Sequence, residues 1–374
     1  MSNKEFRERI REELEEIKKL GLYRKLRTVK GLNFSSNDYL ALSSHPRVVK
    51  ALSYSLAGAT GSRLTSGNVN HEILEEEIAK FKNFPTSLIY PSGYQANLGL
   101  ISSLCKKGDL ILSDELNHAS IIDGCRLSKA DKIIYKHNDI NSLYEILEKN
   151  HKNYKNIFIV TDSVFSMDGD IANLKEIKKI ADEFSSVLIV DDAHATGVLG
   201  DRGRGSFEYF KIRPSDNTIV VVTFSKALGC QGGAVCCIEE VREYLINTSR
   251  AFIYSTALSP ALVNAVLESL KIIKETDIVK RLKDKVEEAN KILLRYKLIE
   301  ERREVPIFPI ILGELTMKVS EELIKNNIFC VGIRYPTVPK GKERIRVSIT
   351  LNHKKEDIEL LAKKMKESIL KFSS

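Results

Sequence analysis

From about residue 85 to residue 240 the chain alternates short apolar runs with longer stretches whose apolar residues recur at helical spacing. The runs fall at 87–90, 110–112, 132–135, 156–161, 187–190, 218–223 and 233–238. Between two of them Leu174, Ile177, Ile180, Ala181 and Phe184 make a 3.6-period face. Strands joined by helical crossovers pair side by side in one direction, so the pattern predicts an α/β fold, a mainly parallel seven-stranded sheet with helices on both faces. Ligands of such sheets gather at the carboxyl ends of the strands. Residues just after each run are therefore the ones to inspect.

At 374 residues the chain exceeds one ordinary core. We expect an N-terminal helix and extended segment over 1–44, a large domain over 45–265 and a small C-terminal α/β domain over 266–374. The small domain has strands at 308–312, 329–333 and 344–350 and a closing helix from about 354 to 372. Phe6, Ile10, Leu14, Ile17 and Leu20 form a helical stripe behind a Ser2 cap, the pattern of a docking helix, and Ser44 is the expected cap of a helix opening at Pro46. The stripe is flanked by acids as well as bases, unlike a targeting signal, and no apolar run is long enough to span a bilayer, so a cytoplasmic protein is expected.

Six cysteines lack metal-site spacing and sit in or beside apolar runs, as reduced core residues do, and no metal is expected. The net charge of +8 comes from Lys and Arg interleaved with Glu. That is a solvated surface attractive to anions in general, and no nucleic-acid partner is expected.

Two strand ends carry unusual chemistry. The run 218–223 leads to Lys226, and the run 187–190 leads to Asp191-Asp192-Ala193-His194. An acidic pair after a strand also suits a nucleotide hydrolase, but that needs a G-x-x-x-x-G-K-[ST] loop, and the chain contains none. A carboxylate beside a heterocyclic nitrogen and an amine able to condense with an aldehyde are the two groups that pyridoxal phosphate (PLP) requires, so Asp191 and Lys226 suggest that cofactor. Tyr90-Pro91-Ser92-Gly93-Tyr94 joins a strand to a helix start, where backbone N–H groups can hold a phosphate. An ordinary capped turn would look the same. His118 follows another strand and could stack on an aromatic ring or simply cap a helix.

Five segments are more specific: Asn37-Asp38-Tyr39-Leu40, Gly61-Ser62-Arg63-Leu64-Thr65-Ser66-Gly67, Ser163-Val164-Phe165-Ser166-Met167-Asp168-Gly169-Asp170, Asp191-Asp192-Ala193-His194-Ala195-Thr196-Gly197, and Thr223-Phe224-Ser225-Lys226. Together, and in register from about Leu22 to the C-terminus, they resemble the α-oxoamine synthases. These are PLP enzymes of the fold-type I, aspartate aminotransferase-like class that condense an amino acid with an acyl thioester. The resemblance implies Lys226 as Schiff-base lysine, Asp191 as partner of the pyridinium nitrogen, His118 as stacking imidazole, and His194 with Ser166 beside the phenolic oxygen. It implies Ser92, Gly93, Tyr94 and Thr223 around the phosphate, with Ser255 or Thr256 supplied by the second subunit of a homodimer.

The same resemblance implies Arg346 and Asn37 at the amino-acid carboxylate, and Arg344, one strand step away, is read as facing elsewhere as a surface charge. The resemblance further implies L-alanine and a pimeloyl thioester, on coenzyme A or an acyl carrier protein, as substrates, and Arg24, Arg334 and Thr337 are consistent with an acyl tail ending in a carboxylate. Glycine with acetyl-CoA is the alternative substrate pair. Asp162 departs from the family pattern, where Glu is frequent, and its role stays open.

Overall fold

The computed structural model describes residues 3–373, so the Ser2 cap lies outside the described residues. In chain order the helices are α1 (Asn3–Lys19), α2 (Pro46–Ala51), α3 (Val69–Lys82), α4 (Gly93–Leu104), α5 (Ala119–Leu127), α6 (Ile140–Asn150), α7 (Leu174–Glu183), α8 (Ser206–Tyr209), α9 (Glu239–Thr248), α10 (Arg250–Ile253), α11 (Pro260–Glu275), α12 (Ile278–Arg295), α13 (Thr316–Lys325) and α14 (Lys355–Ser373). The strands are β1 (Leu32–Asn33), β2 (Thr86–Tyr90), β3 (Leu110–Asp114), β4 (Asp131–Tyr135), β5 (Ile157–Asp162), β6 (Val187–Asp191), β7 (Thr218–Thr223), β8 (Gly233–Cys237), β9 (Ile307–Ile311), β10 (Ile328–Phe329), β11 (Gly332–Ile333) and β12 (Arg344–Ser348). The chain divides into two compact units, one of Ser36–Pro309 with Ser348–Glu359, the other of Met1–Ser35, Ile310–Val347 and Leu360–Ser374. Helices α11 and α12 lie in the larger unit, where α11 packs on α2 and α3.

The larger unit is built on a seven-stranded sheet in the order β2-β8-β7-β6-β5-β3-β4. Only β8 runs against its neighbours. Both faces are buried, which is why these runs read as continuously apolar. Along β5, Ile157 and Ile159 join one core while Phe158 and Val160 join the other. Likewise Leu188 and Val190 part from Ile189, and Val220 and Val222 from Ile219 and Val221. This two-sided burial holds the strand ends in fixed positions. The alternation of strand and helix brings the chain after β2, β3, β5, β6 and β7 to a single edge of the sheet.

Helix α2 is capped by His45, whose Nδ1 accepts the Arg47 N–H at 3.3 Å, in place of the expected Ser44. Pro46 takes the first helical position, and the residue before a proline stays extended, so the cap falls on His45.

In the smaller unit the expected strand at 329–333 is two strands in different sheets. β10 pairs in parallel with β1, whereas β11 pairs antiparallel with β12. Between them the Val331 N–H donates to Ser35 Oγ at 3.0 Å, which interrupts the ladder. Helix α1 leaves Phe6, Leu14 and Ile17 exposed in the single chain, as is Leu20 just beyond it. No helix among the described residues is long and apolar enough to cross a membrane.

Candidate active site

Asp191 ends β6 and is 5% exposed. Its Oδ1 accepts the Ala193 N–H at 2.9 Å and its Oδ2 accepts Asn97 Nδ2 at 2.6 Å. Its backbone carbonyl accepts both the N–H (2.9 Å) and the hydroxyl (3.0 Å) of Ser163. The two donors fix the position of this buried carboxylate.

His118 is the N-cap of α5, so its ring is positioned by the helix start. Nδ1 accepts the Ser120 N–H at 3.2 Å and lies 2.8 Å from Ser120 Oγ. Tyr94 stands edge-on to the ring at 6.2 Å. Burial pushes the His118 pKa down, Asp191 pulls it back up and the Lys226 ammonium lowers it further. Asp191 and Lys226 thus both lie within electrostatic reach of His118.

Asp162, whose role the sequence left open, ends β5 directly opposite Asp191 in the strand register. Its Oδ2 accepts the His118 N–H at 2.7 Å, and its own N–H donates to Asn117 Oδ1 at 2.9 Å. The carboxylate therefore ties the end of β5 to the start of α5. Burial first, then Asp191, raises its pKa well above the ordinary carboxylate range, against the pull of the His118 N–H and of Lys226.

Lys226 is half-buried in the turn after β7. Phe224 N–H to Gly232 O (2.9 Å) and Cys230 N–H to Phe224 O (2.8 Å) close that turn, and Gly229 adopts φ +64° inside it. His194, 4% exposed, places Nδ1 2.7 Å from the Tyr39 hydroxyl, which in turn donates to Asn37 Oδ1 at 3.2 Å. Ser166 rides on a tight loop closed by Phe165 N–H to Asp170 O (3.0 Å) and Gly169 N–H to Phe165 O (2.8 Å).

The N-terminus of α4 meets the ends of β7 and β8. Ser92 caps the helix by accepting the Gln95 N–H at 3.1 Å. A Cβ on Gly93 would sit 3.1 Å from Thr223 Cβ and Oγ1, and one on Gly233 would sit 2.7 Å from Gly93 N. Glycine at these two positions lets the start of α4 pack closely on the ends of β7 and β8, and a helix start at a sheet edge is where an anion can be held. Gln95 Nε2 donates to Ser255 Oγ of the same chain at 3.0 Å, while Thr256 is exposed.

A helix N-terminus, a carboxylate held by two donors, an imidazole and a lysine on one sheet edge are the groups that PLP needs. The residues fit that cofactor.

The remaining sequence candidates belong to the smaller unit. Arg24, Arg334 and Thr337 line a cavity of about 550 Å³ together with the apolar Phe329 and Ile333, and Arg334 Nη2 donates to Tyr23 O at 2.8 Å. Arg346 is buried on β12, 7% exposed. Arg344 corrects an expectation: it is 3% exposed, with Nε donating to Lys342 O at 3.0 Å. Two residues apart on a strand, Arg344 and Arg346 share a face, so both are buried together.

Sequence reasoning missed Tyr39, Asn97, Ser120 and the ion pair of Lys82 with Asp192, whose side chains are 1% and 0% exposed. Lys82 also donates to Thr196 Oγ1 at 3.2 Å and to the Arg204 carbonyl. Tyr39 and Asp192 stood within quoted motifs, and that was the available signal. Nothing marked Lys82, which lies among the charges at the end of a helix.

Known proteins agree with this architecture. A protein of Methanocaldococcus jannaschii, named provisionally as an 8-amino-7-oxononanoate synthase, is 60% identical over 367 residues, covering 97% of this chain and 98% of its own. The crystal structure of 8-amino-7-oxononanoate synthase from Francisella tularensis superposes with TM-score 0.78 at 32% identity, covering 92% of this chain and 99% of that one. A high-resolution structure of SPT with PLP internal aldimine superposes with TM-score 0.90 at 25% identity over 100% of both chains. The fold is the fold-type I architecture that the sequence resemblance implied. Residues 29–365 match the profile of aminotransferase class I and II, and the chain belongs to that family.

Proposed function

We propose that this protein is a PLP-dependent 8-amino-7-oxononanoate synthase, which joins L-alanine to a pimeloyl thioester with loss of carbon dioxide and release of the free thiol. The observation that carries the reading is the arrival of Asp191, His118 and Lys226 at one sheet edge, with Asp191 and Lys226 both within electrostatic reach of His118. The names of the Methanocaldococcus and Francisella proteins support the substrate choice.

When bound, PLP would supply an electron sink for the charge left on the α-carbon of alanine. Lys226 would hold the cofactor's carbonyl carbon at rest and, once released by alanine, take the α-proton through Nζ. Asp191, held by Ala193 and Asn97, would keep a proton on the pyridine nitrogen. His118 would lie against the ring, and His194 with Ser166 would bond the phenolic oxygen. Ser92, Gly93, Tyr94 and Thr223 would bind the phosphate, with Ser255 or Thr256 contributed by the second subunit of a cytoplasmic homodimer. Arg346 would clamp the alanine carboxylate, since a guanidinium binds a carboxylate through two parallel bonds.

In the smaller unit, the cavity that holds Arg24, Arg334 and Thr337 beside Phe329 and Ile333 suits a methylene chain ending in a carboxylate. An acetyl group would use none of those cations. Thiol release from alanine with pimeloyl-CoA or pimeloyl-acyl carrier protein, set against glycine with acetyl-CoA, tests the reading. Faster release from the glycine pair would replace it with 2-amino-3-ketobutyrate ligase activity. Lys226→Ala is expected to abolish both turnover and the absorbance of the Schiff base that Lys226 would make with the cofactor.

A further inference from the structure

The direction of each hydrogen bond between Asp191 and His118 can be worked out from donor chemistry alone. Asn97 Nδ2 carries two protons and no lone pair for bonding. One proton goes to Asp191 Oδ2 at 2.6 Å and the other to Ser120 Oγ at 2.9 Å. The opposite orientation of the amide would press its carbonyl oxygen against the carboxylate. Ser120 Oγ therefore accepts from Asn97 and keeps its own proton to donate, and His118 Nδ1 lies 2.8 Å away. The Ser120 N–H is directed at the same nitrogen at 3.2 Å. A nitrogen that receives two donors carries no proton, so the proton of the neutral ring is on Nε2.

We infer that Asn97 and Ser120 are positioning residues that lock His118 as its neutral Nε2–H tautomer and join it to the Asp191 carboxylate through one directed hydrogen-bond chain. Neither is assigned a role by the sequence motifs. Asn97 sits one turn beyond the Gly93–Tyr94 helix start, and its Oδ1 is buried without a hydrogen-bond partner. That geometry sacrifices one acceptor to keep both donors in place.

The charged and aromatic groups around the ring act consistently with this. Asp191 favours the imidazolium and Lys226 opposes it. Asp162 engages the His118 backbone N–H, and Tyr94 presents its ring edge. Protonating Nδ1 would also cost both bonds from Ser120. The inference rests on the proposed function only in taking the ring as the cofactor's stacking partner; the tautomer follows from this chain's own atoms.

The test is 15N-histidine NMR on the holoenzyme, with the His118 signals identified by their loss in His118→Asn. The expected result is an unprotonated Nδ1 and a protonated Nε2 in the neutral ring. Ser120→Ala should raise the pH at which the ring protonates by about 0.5–1 unit, the effect of one lost hydrogen bond. Ser120→Thr, which keeps the hydroxyl, should restore the wild-type midpoint. Asn97→Leu should shift His118 in the same direction and also move the pH dependence of the bound-cofactor absorbance, because Asp191 loses a donor. A proton on Nδ1 in the wild type, or an unshifted midpoint in Ser120→Ala, would overturn the inference. Neither readout needs turnover of alanine or a pimeloyl thioester, so it stands or falls apart from the substrate assignment.

Discussion

The Tyr39 hydroxyl lies 2.7 Å from His194 Nδ1 across 155 positions of sequence, with both side chains buried. It gives the imidazole a fixed orientation at the end of β6 and relates it to Asn37 through the 3.2 Å bond from the same hydroxyl. Tyr39→Phe keeps the ring and removes only this link. We expect a loss of about 1–3 kcal/mol in stability, the cost of leaving a buried polar atom without its partner. The bound-cofactor spectrum should change as His194 gains freedom. Urea denaturation and absorbance titration measure the two effects, and an unchanged spectrum would detach His194 from the cofactor.

Lys82 and Asp192 form an ion pair with both side chains almost fully enclosed. Asp192 also accepts the Ser206 N–H, at 3.2 and 3.3 Å to its two oxygens. Lys82→Met should destabilise the protein by about 3–5 kcal/mol, because it leaves a buried carboxylate uncompensated. Adding Asp192→Asn should recover part of that loss by removing the unpaired charge while keeping an acceptor for Ser206. Denaturation midpoints of the single and double variants decide the matter; a double variant no better than the single would show that the charge is not the cause.

His137 bridges two carboxylates, Asp114 through Nδ1 at 3.0 Å and Asp170 through Nε2 at 2.9 Å. Burial disfavours its charge, but the side-chain bonds to Asp114 and Asp170 outweigh that and lift its pKa from 6.5 to about 10. A folded-state value above the unfolded one means that the protonated bridge adds stability in full below pH 6.5, and that this contribution disappears as pH rises through about 10. The stability gap between wild type and His137→Gln should therefore be widest near pH 6 and narrow steadily towards pH 10. Urea midpoints at several pH values test the slope, and a gap independent of pH would argue against a charged bridge.

A methyl group on Gly93 would press on Thr223 at 3.1 Å, at the helix start proposed to bind the phosphate. Gly93→Ala should weaken cofactor retention at least tenfold while costing no more than about 1–3 kcal/mol of fold stability, the usual range for overpacking. Equilibrium dialysis against PLP and thermal unfolding of the cofactor-free protein separate the two. Retention equal to wild type would move the phosphate site elsewhere.

The strands were legible because a sheet buried on both faces leaves uninterrupted apolar runs, and β7 begins and ends where the run 218–223 does. The short strands of the smaller unit were less so. Two residues of β10 and two of β11 look like one run until their separate partners, Leu32–Asn33 and Arg344–Ile345, are known. Arg344 was misplaced for a simpler reason: period-two alternation puts it on the same face as Arg346, and that face is buried.

The sequence by itself determined which residues follow the strand ends, and so which groups could gather at one edge: Gly93, His118, Asp191, Thr223 and Lys226. Strand–helix alternation is a local, periodic signal, and it carries that much. Only the tertiary structure decided what holds those groups in place. Asn97 reaches Asp191 across 94 positions, Lys82 reaches Asp192 across 110 and Tyr39 reaches His194 across 155. A buried polar atom takes whichever donor or acceptor the packed elements bring within about 3 Å, and no periodicity in the sequence records that choice.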